Sequence, residues 1–394
     1  MNSRDPRVRV FLFSLLALTL SGCRTHDFPQ YQPNDREYIY VTNGGSGTVT
    51  ILDVVNVRLD RELPVGQNPI AVAANPVLNE IYVVNSGTAS GMGSLSVINA
   101  ENNTVVDTIP LQRQPVAIDI DAAGRLAYVA NSGSNSVSVV DLKSRRETAQ
   151  IGTGEEPAAV RLSPDGKTLA VANRKGNSAS IIDPGSLSVR AVFPGCPGAS
   201  DLVILPDSSK AFASCSAGHQ IMAILLAKPS QPASNSTPAT PALPDRLESL
   251  MDVGRGPVQL ALKPDGGEVF VVNSLSDSIS EVITGTDDVQ NAYMMGDNPD
   301  SGLVSRDNSL LYIGNLRSQI VIAYSIDDGR RVGSVHVGDG PSAQAFSAKG
   351  HLLFVVDAKS GDVAAVRTAS FSLFTLLPAG RNPNAIVDKA FKLP

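Results

Sequence analysis

An all-β propeller of eight four-stranded blades, closed by the C-terminal strand joining the first blade, is the fold this sequence predicts. Three observations predict it. A short apolar run ending in Asn, or a weaker variant of it, recurs eight times along the chain. A Gly-x-x-Pro landmark recurs with it, at spacings of 46, 42, 41, 59, 42, 42 and 42 residues. Period-2 alternation of β-branched residues fills the intervals, and no helix-period segment of useful length competes. A fixed period that holds four short strands is the signature of a propeller blade.

The 394 residues divide into a leader, a polar segment and the repeats. Residues 1–22 read as a signal peptide: Arg4, Arg7 and Arg9 precede an apolar stretch from Val10 to Leu20, which is too short to span a bilayer. Residues 23–37 are polar and contain Pro, and read as a tether. Residues 38–394 carry the repeats.

The first repeat is Tyr38-Ile39-Tyr40-Val41-Thr42-Asn43, and the others place Asn85, Asn131, Asn173, Asn273 and Asn315 at the same point. The fifth copy ends in Cys215 and the eighth in Asp357. The landmark occurs as Gly66-x-x-Pro69, Gly154-x-x-Pro157, Gly254-x-x-Pro257, Gly296-x-x-Pro299, Gly338-x-x-Pro341 and Gly380-x-x-Pro383, with degenerate copies at Gln112 and Gly195. Each run is expected to be the second strand of its blade, so the motif Asn falls beside the landmark corner. Its amide is expected to pair backbone groups that the corner leaves open, as a structural lock. The corner Gly is expected to supply the unusual dihedrals, and Pro to start the inner strand. Asp53, Asp141 and Asp183, at third-strand ends, are expected to form turns. The last segment, Pro383 to Phe391, reads as a lone first strand that closes the ring. The 59-residue spacing contains a Pro/Ser/Thr-rich insertion at 228–245, expected between the third and fourth strands of the fifth blade.

Composition excludes other classes. A hydrophobic content of 42% supports a packed core, and a net charge of −6 argues against a nucleic-acid binder. Loss of residues 1–22 would take the charge to about −8. There is no CxxCH, HExxH, GxSxG or Walker motif, so neither a metal nor a cofactor is predicted.

The repeats resemble the YVTN family of β-propellers, through Tyr40-Val41-Thr42-Asn43 and the turns Ser163-Pro164-Asp165-Gly166 and Lys263-Pro264-Asp265-Gly266. The likeness covers about residues 38–391; familiar members often have seven blades, whereas the count here is eight. Leu20-Ser21-Gly22-Cys23 resembles a bacterial lipobox. That resemblance implies acylation at Cys23 and a lipid-anchored cell-envelope address, with the outer membrane favoured by Arg24.

Cys196 stands in the fifth corner and Cys215 at the fifth Asn position, so a disulfide between them is expected to replace the lock. Candidate ligand contacts on the corner face, called top, are His219, Arg113, Arg174, Arg255, Arg317 and Arg381. The expected function is a non-enzymatic, monomeric binding scaffold for an unknown envelope protein or small ligand. The alternatives are a lactonase-like hydrolase and a haem-binding propeller resembling the dihaem nitrite reductase domain or its maturation proteins, with His219 as the axial candidate.

Overall fold

The computed structural model describes residues 29–228 and 242–393. They form eight four-stranded antiparallel sheets, and the chain adds strands to each from the inner edge outward. Blade 1 is the exception. Its inner strand is Pro383–Lys392, followed by Asp35–Asn43, Thr48–Asp53 and Arg58–Pro64. Blades 2 to 8 span 69–113, 115–152, 157–194, 199–252, 257–294, 299–336 and 341–378. The count is therefore eight, not seven.

Two ends of the chain pair in blade 1, with Tyr38 opposite Lys389 and Val41 opposite Ile386. This pairing leaves no inner edge open at the chain termini, where an unpaired strand would template association. The second strand begins at Asp35, ahead of the expected Tyr38. Residues 29–34 are also tied to the ring rather than free. The Tyr31 hydroxyl donates to Glu37 at 2.8 Å, and Leu393 N–H donates to the Asn34 carbonyl at 2.9 Å. One large side chain with a buried acceptor is enough to seat a polar segment.

The core lies between blades rather than within one. Eight apolar clusters each span one pair of neighbouring blades; the pair 1–2, for example, packs Tyr40, Val49 and Ile51 against Ile81, Val83 and Ile98. Second strands are covered on both faces, which is why they read as continuous apolar runs. Outer strands alternate exposed and covered residues, as in Arg146–Gly152.

Turns follow the sequence closely. Asp53, Asp141 and Asp183 accept from backbone N–H groups two or three residues on. These bonds hold the Asp141 and Asp183 carboxyls below the usual carboxylate range. The bases of the insertion are described and lie between the third strand Gln220–Leu225 and the outer strand Arg246–Asp252. Asp245 there pairs with Arg190 at 2.9 Å, and Lys228 bridges to Leu243. Residues 229–241 lie outside the described residues, as do Cys23 and the leader.

Candidate functional site

The top face is built from the eight corners and the eight loops between second and third strands. In every corner the residue before the inner strand has a positive φ; of the landmark glycines only Gly195 (96°) and Gly296 (107°) share it, so the expected dihedral role holds at those two. The residue before the inner strand is Asn68, Gln114, Glu156, Gly198, Gly256, Asn298, Gly340 or Asn382, with φ between 50° and 73°. The landmark Gly has a further duty. A Cβ on Gly66 would stand 2.5 Å from Asn85 Cγ, and at Gly254 it would stand 2.6 Å from Asn273 Cγ. Gly is required because the motif Asn packs directly on it.

The lock itself is richer than its sequence suggests. The Asn Nδ2 reaches two hydroxyls on the third strand: Asn43 to Thr48 and Thr50, Asn85 to Ser94 and Ser96, Asn131 to Ser136 and Ser138. Asn173 and Asn273 repeat this with Ser178 and Ser180, and with Ser278 and Ser280. Asn315 has no such hydroxyls and donates to the Ile313 and Ile320 carbonyls at 3.4 Å. The expected pairing of the amide with the corner backbone holds only at Asn85, whose Oδ1 accepts Gly66 N–H at 3.1 Å; at Asn43, Asn131, Asn173, Asn273 and Asn315 the Oδ1 has no hydrogen-bond partner, and the amide bonds the third strand instead.

Two blades differ. In blade 5, Cys196 and Cys215 are joined, with Cα atoms 4.7 Å apart. In blade 8, Asp357 Oδ2 accepts Gly338 N–H at 2.9 Å. Asp357 is fully buried, and Asp362 approaches it from the third strand. Both carboxyls crowd the point where a Cβ on Gly338 would stand, at 2.7 Å and 2.3 Å. Burial, then the hydrogen bond with Asp362, pushes the Asp357 carboxyl up to about 8.

His219 occupies the left-handed position of its loop, at φ 56°. Asn135, Asn177 and Asp277 hold the same position in other blades. Each accepts the N–H of the third corner residue next door: Asn135 from Glu156, Asn177 from Gly198, Asp277 from Asn298 and His219 Nδ1 from Gly256. His219 is thus a corner cap in the same series. Sequence reasoning missed this series, although Asn135, Asn177 and His219 stand 42 residues apart.

The five arginines sit on five different blades. Arg113, Arg255 and Arg381 lie in corners, and Arg174 and Arg317 in loops. All five are exposed. Arg174 stands 3.8 Å from Glu156, and Arg255 donates to the Leu275 carbonyl at 3.2 Å. Exposed pairs of this kind contribute little stability, so the charges remain available at the surface.

Around the axis, six inner strands carry a bulge at their second residue: Ile70, Val116, Ala158, Val258, Asp300 and Asn384. Bulges re-aim side chains and are frequent beside sites. The ring they form is mostly apolar. Asn384 donates to the Pro69 carbonyl, and Asp300 has its carboxyl raised by burial. Among the described residues no three His, Cys, Asp or Glu converge as metal ligands.

Comparison with known proteins places the fold. The YNCE-like β-propeller family matches residues 103–225. No curated protein matches. Among solved structures, Kuenenia stuttgartiensis hydrazine synthase is similar at 22% identity and a TM-score of 0.55, covering 84% of this chain and 92% of that one. The dihydro-heme d1 dehydrogenase NirN in complex with DHE gives 14% identity and a TM-score of 0.68, with 92% and 78% coverage. Apo AztD from Citrobacter koseri gives 13% and 0.65, with 90% and 98%. At these identities the likeness is one of fold. The chain is therefore an eight-bladed β-propeller whose segment 103–225 matches the YNCE-like β-propeller family.

Proposed function

We propose that the protein is a lipid-anchored cell-envelope scaffold, a non-enzymatic propeller that binds a partner or small ligand through its loops. The observation that carries this reading is how the top-face groups are used. Most conspicuous polar residues of the repeat, His219 included, are committed to holding corners, while five arginines stand exposed on five blades. Recognition is left to a surface rather than to a reacting cluster. The sequence Leu20-Ser21-Gly22-Cys23 supports the anchor, and Arg24 supports an outer-membrane address.

The haem reading is less well supported. With Nδ1 accepting from Gly256, the neutral His219 carries its proton on Nε2, where an axial ligand needs a lone pair. The lactonase reading needs carboxylates, His or a metal gathered at the mouth.

Crosslinking and pulldown from intact cells tests the proposal. One dominant partner is expected, lost on substituting Arg255 and Arg381 with Glu. Lactone hydrolysis by the purified protein, or a Soret band in its spectrum, would replace it.

A further inference from the structure

We infer that the bottom rim of blades 7, 8 and 1 is a docking surface for anionic phospholipid headgroups, so that the disc lies bottom-down with its top face turned away from the bilayer. The inference rests on the lipid-anchor reading for its geometry, but the patch has its own chemistry.

The chain enters the ring on this rim. Lys349 Nζ stands 3.9 Å above the Tyr31 ring and donates to the Gln30 carbonyl at 2.8 Å. Arg36 donates to the Pro33 carbonyl at 2.9 Å. These bonds fix where the polypeptide leaves the disc. Cys23 is six residues before Pro29, and six residues reach about 20 Å at most when extended. An acyl chain on Cys23 would therefore hold this rim, and not the top face, within a short distance of the headgroups.

The rim is shaped for such a surface. Two clefts flank the turn that carries Lys349. One, of about 340 Å³, has Arg306 and Lys349 at its mouth and Phe346 among its lining, with Tyr312 buried beneath. The other, of about 420 Å³, has Arg36, Lys349 and Lys392 at its mouth with Tyr31 and Phe391. Cations over an aromatic lining are the arrangement that suits a bilayer interface, where the ring meets the acyl boundary and the cation meets phosphate. The internal bonds leave donors to spare. Arg306 gives one N–H to the Ala348 carbonyl and retains others, and Lys349 has three donors in all. Three acids line the clefts, and each already has a partner. Glu37 is buried and accepts the Tyr31 hydroxyl at 2.8 Å and Ala348 N–H at 2.7 Å. Asp35 accepts Gln32 N–H at 2.8 Å and faces Lys392 at 3.9 Å, and Asp307 accepts the Ser309 hydroxyl at 2.8 Å.

The test uses the mature chain with Cys23→Ser, which carries no acyl group, and sedimentation with vesicles. On phosphatidylglycerol–phosphatidylcholine vesicles at low salt, about tenfold more protein is expected to pellet than on phosphatidylcholine alone, with the difference lost at high salt. Lys349→Glu with Lys392→Glu should abolish the difference, and Arg255→Glu with Arg381→Glu on the top face should leave it. Should the double rim variant melt early, Arg306→Ala in the other cleft reads the same surface and is expected to lower binding. Equal binding to both vesicle types, or loss only in the top-face variant, overturns the inference. Intact mass of the wild-type lipoprotein separates the two readings. An unacylated Cys23 with vesicle binding retained removes the anchor and keeps the patch. An acylated Cys23 without selectivity for anionic lipid removes the patch.

Discussion

Six blades hold their corners with an asparagine, whereas blades 5 and 8 hold the same corner with a disulfide and a pair of carboxyls. The backbone problem is identical in every blade: a second strand must end against a tight corner and cover its polar groups. The Asn solution is neutral and, in five blades, bonded to two hydroxyls. The Cys solution is covalent and belongs to an oxidising compartment. The Asp solution depends on a buried carboxyl that desolvation and the neighbouring Asp362 push up. What differs is therefore the condition each blade answers to, namely nothing soluble, reductant and pH.

The largest effect is expected in blade 1, where the lock joins opposite ends of the chain through Asn43 and Gly380. Truncation before Asn382 removes the inner strand and exposes the edge of Asp35–Asn43. It should abolish cooperative melting and cause aggregation, followed by circular dichroism and light scattering. An unchanged melting temperature would show that closure is dispensable. Next comes blade 5. Replacing both Cys196 and Cys215 with Ser should cost about 3 kcal/mol by the chain-entropy account for a loop of this size. Added reductant should reproduce that loss in the wild type and leave the double variant unchanged.

Among the Asn blades, Asn131→Ala should cost about 2 kcal/mol in denaturant unfolding, because Ser136 and Ser138 lose their donor inside a buried site. Asn315→Ala should cost about half as much, since Asn315 makes only two long bonds to carbonyls. Equal losses would show that packing on the corner Gly, rather than hydrogen bonding, sets the value.

Blade 8 should give the effect tied to pH. Asp357 is raised from 3.8 to about 8, so the folded state binds a proton that the unfolded state has already lost. Stability from this group is greatest below pH 4, falls as pH rises through the window up to about 8, and is flat above. Asp357→Asn rebuilds the amide lock against Asp362. It should flatten the dependence and raise the melting temperature at pH 8 by roughly 2 °C. A variant with the wild-type pH profile would show that another group carries it. The Asp388 carboxyl, raised by burial and by Glu37, is the first alternative to test.

Much of the architecture was legible because it is repeated. Strand order, blade count, the closing strand, the turn role of Asp53, and the place of the insertion all follow from a period that eight copies restate. The site was less legible. His219 reads as a solvated or ligand-facing residue when taken alone, and becomes a cap only beside Asn135, Asn177 and Asp277. The landmark Gly reads as a residue of special dihedral, which holds at Gly195 and Gly296, while Gly66 instead makes room for Asn85, 19 residues later. The tether reads as free because its composition is polar, and Tyr31 reverses that with one ring and one hydroxyl.

By itself the sequence determined the ring, since each apolar strand can be buried only between two others and the period leaves no other way to bury them all. Tertiary structure alone decided which polar groups meet. The hydroxyls that complete an Asn lock, the carboxyls that meet in blade 8, and the cations that gather where the chain enters come from separate strands or opposite termini. Their distances are set by sheet register and blade packing, and no local pattern encodes those.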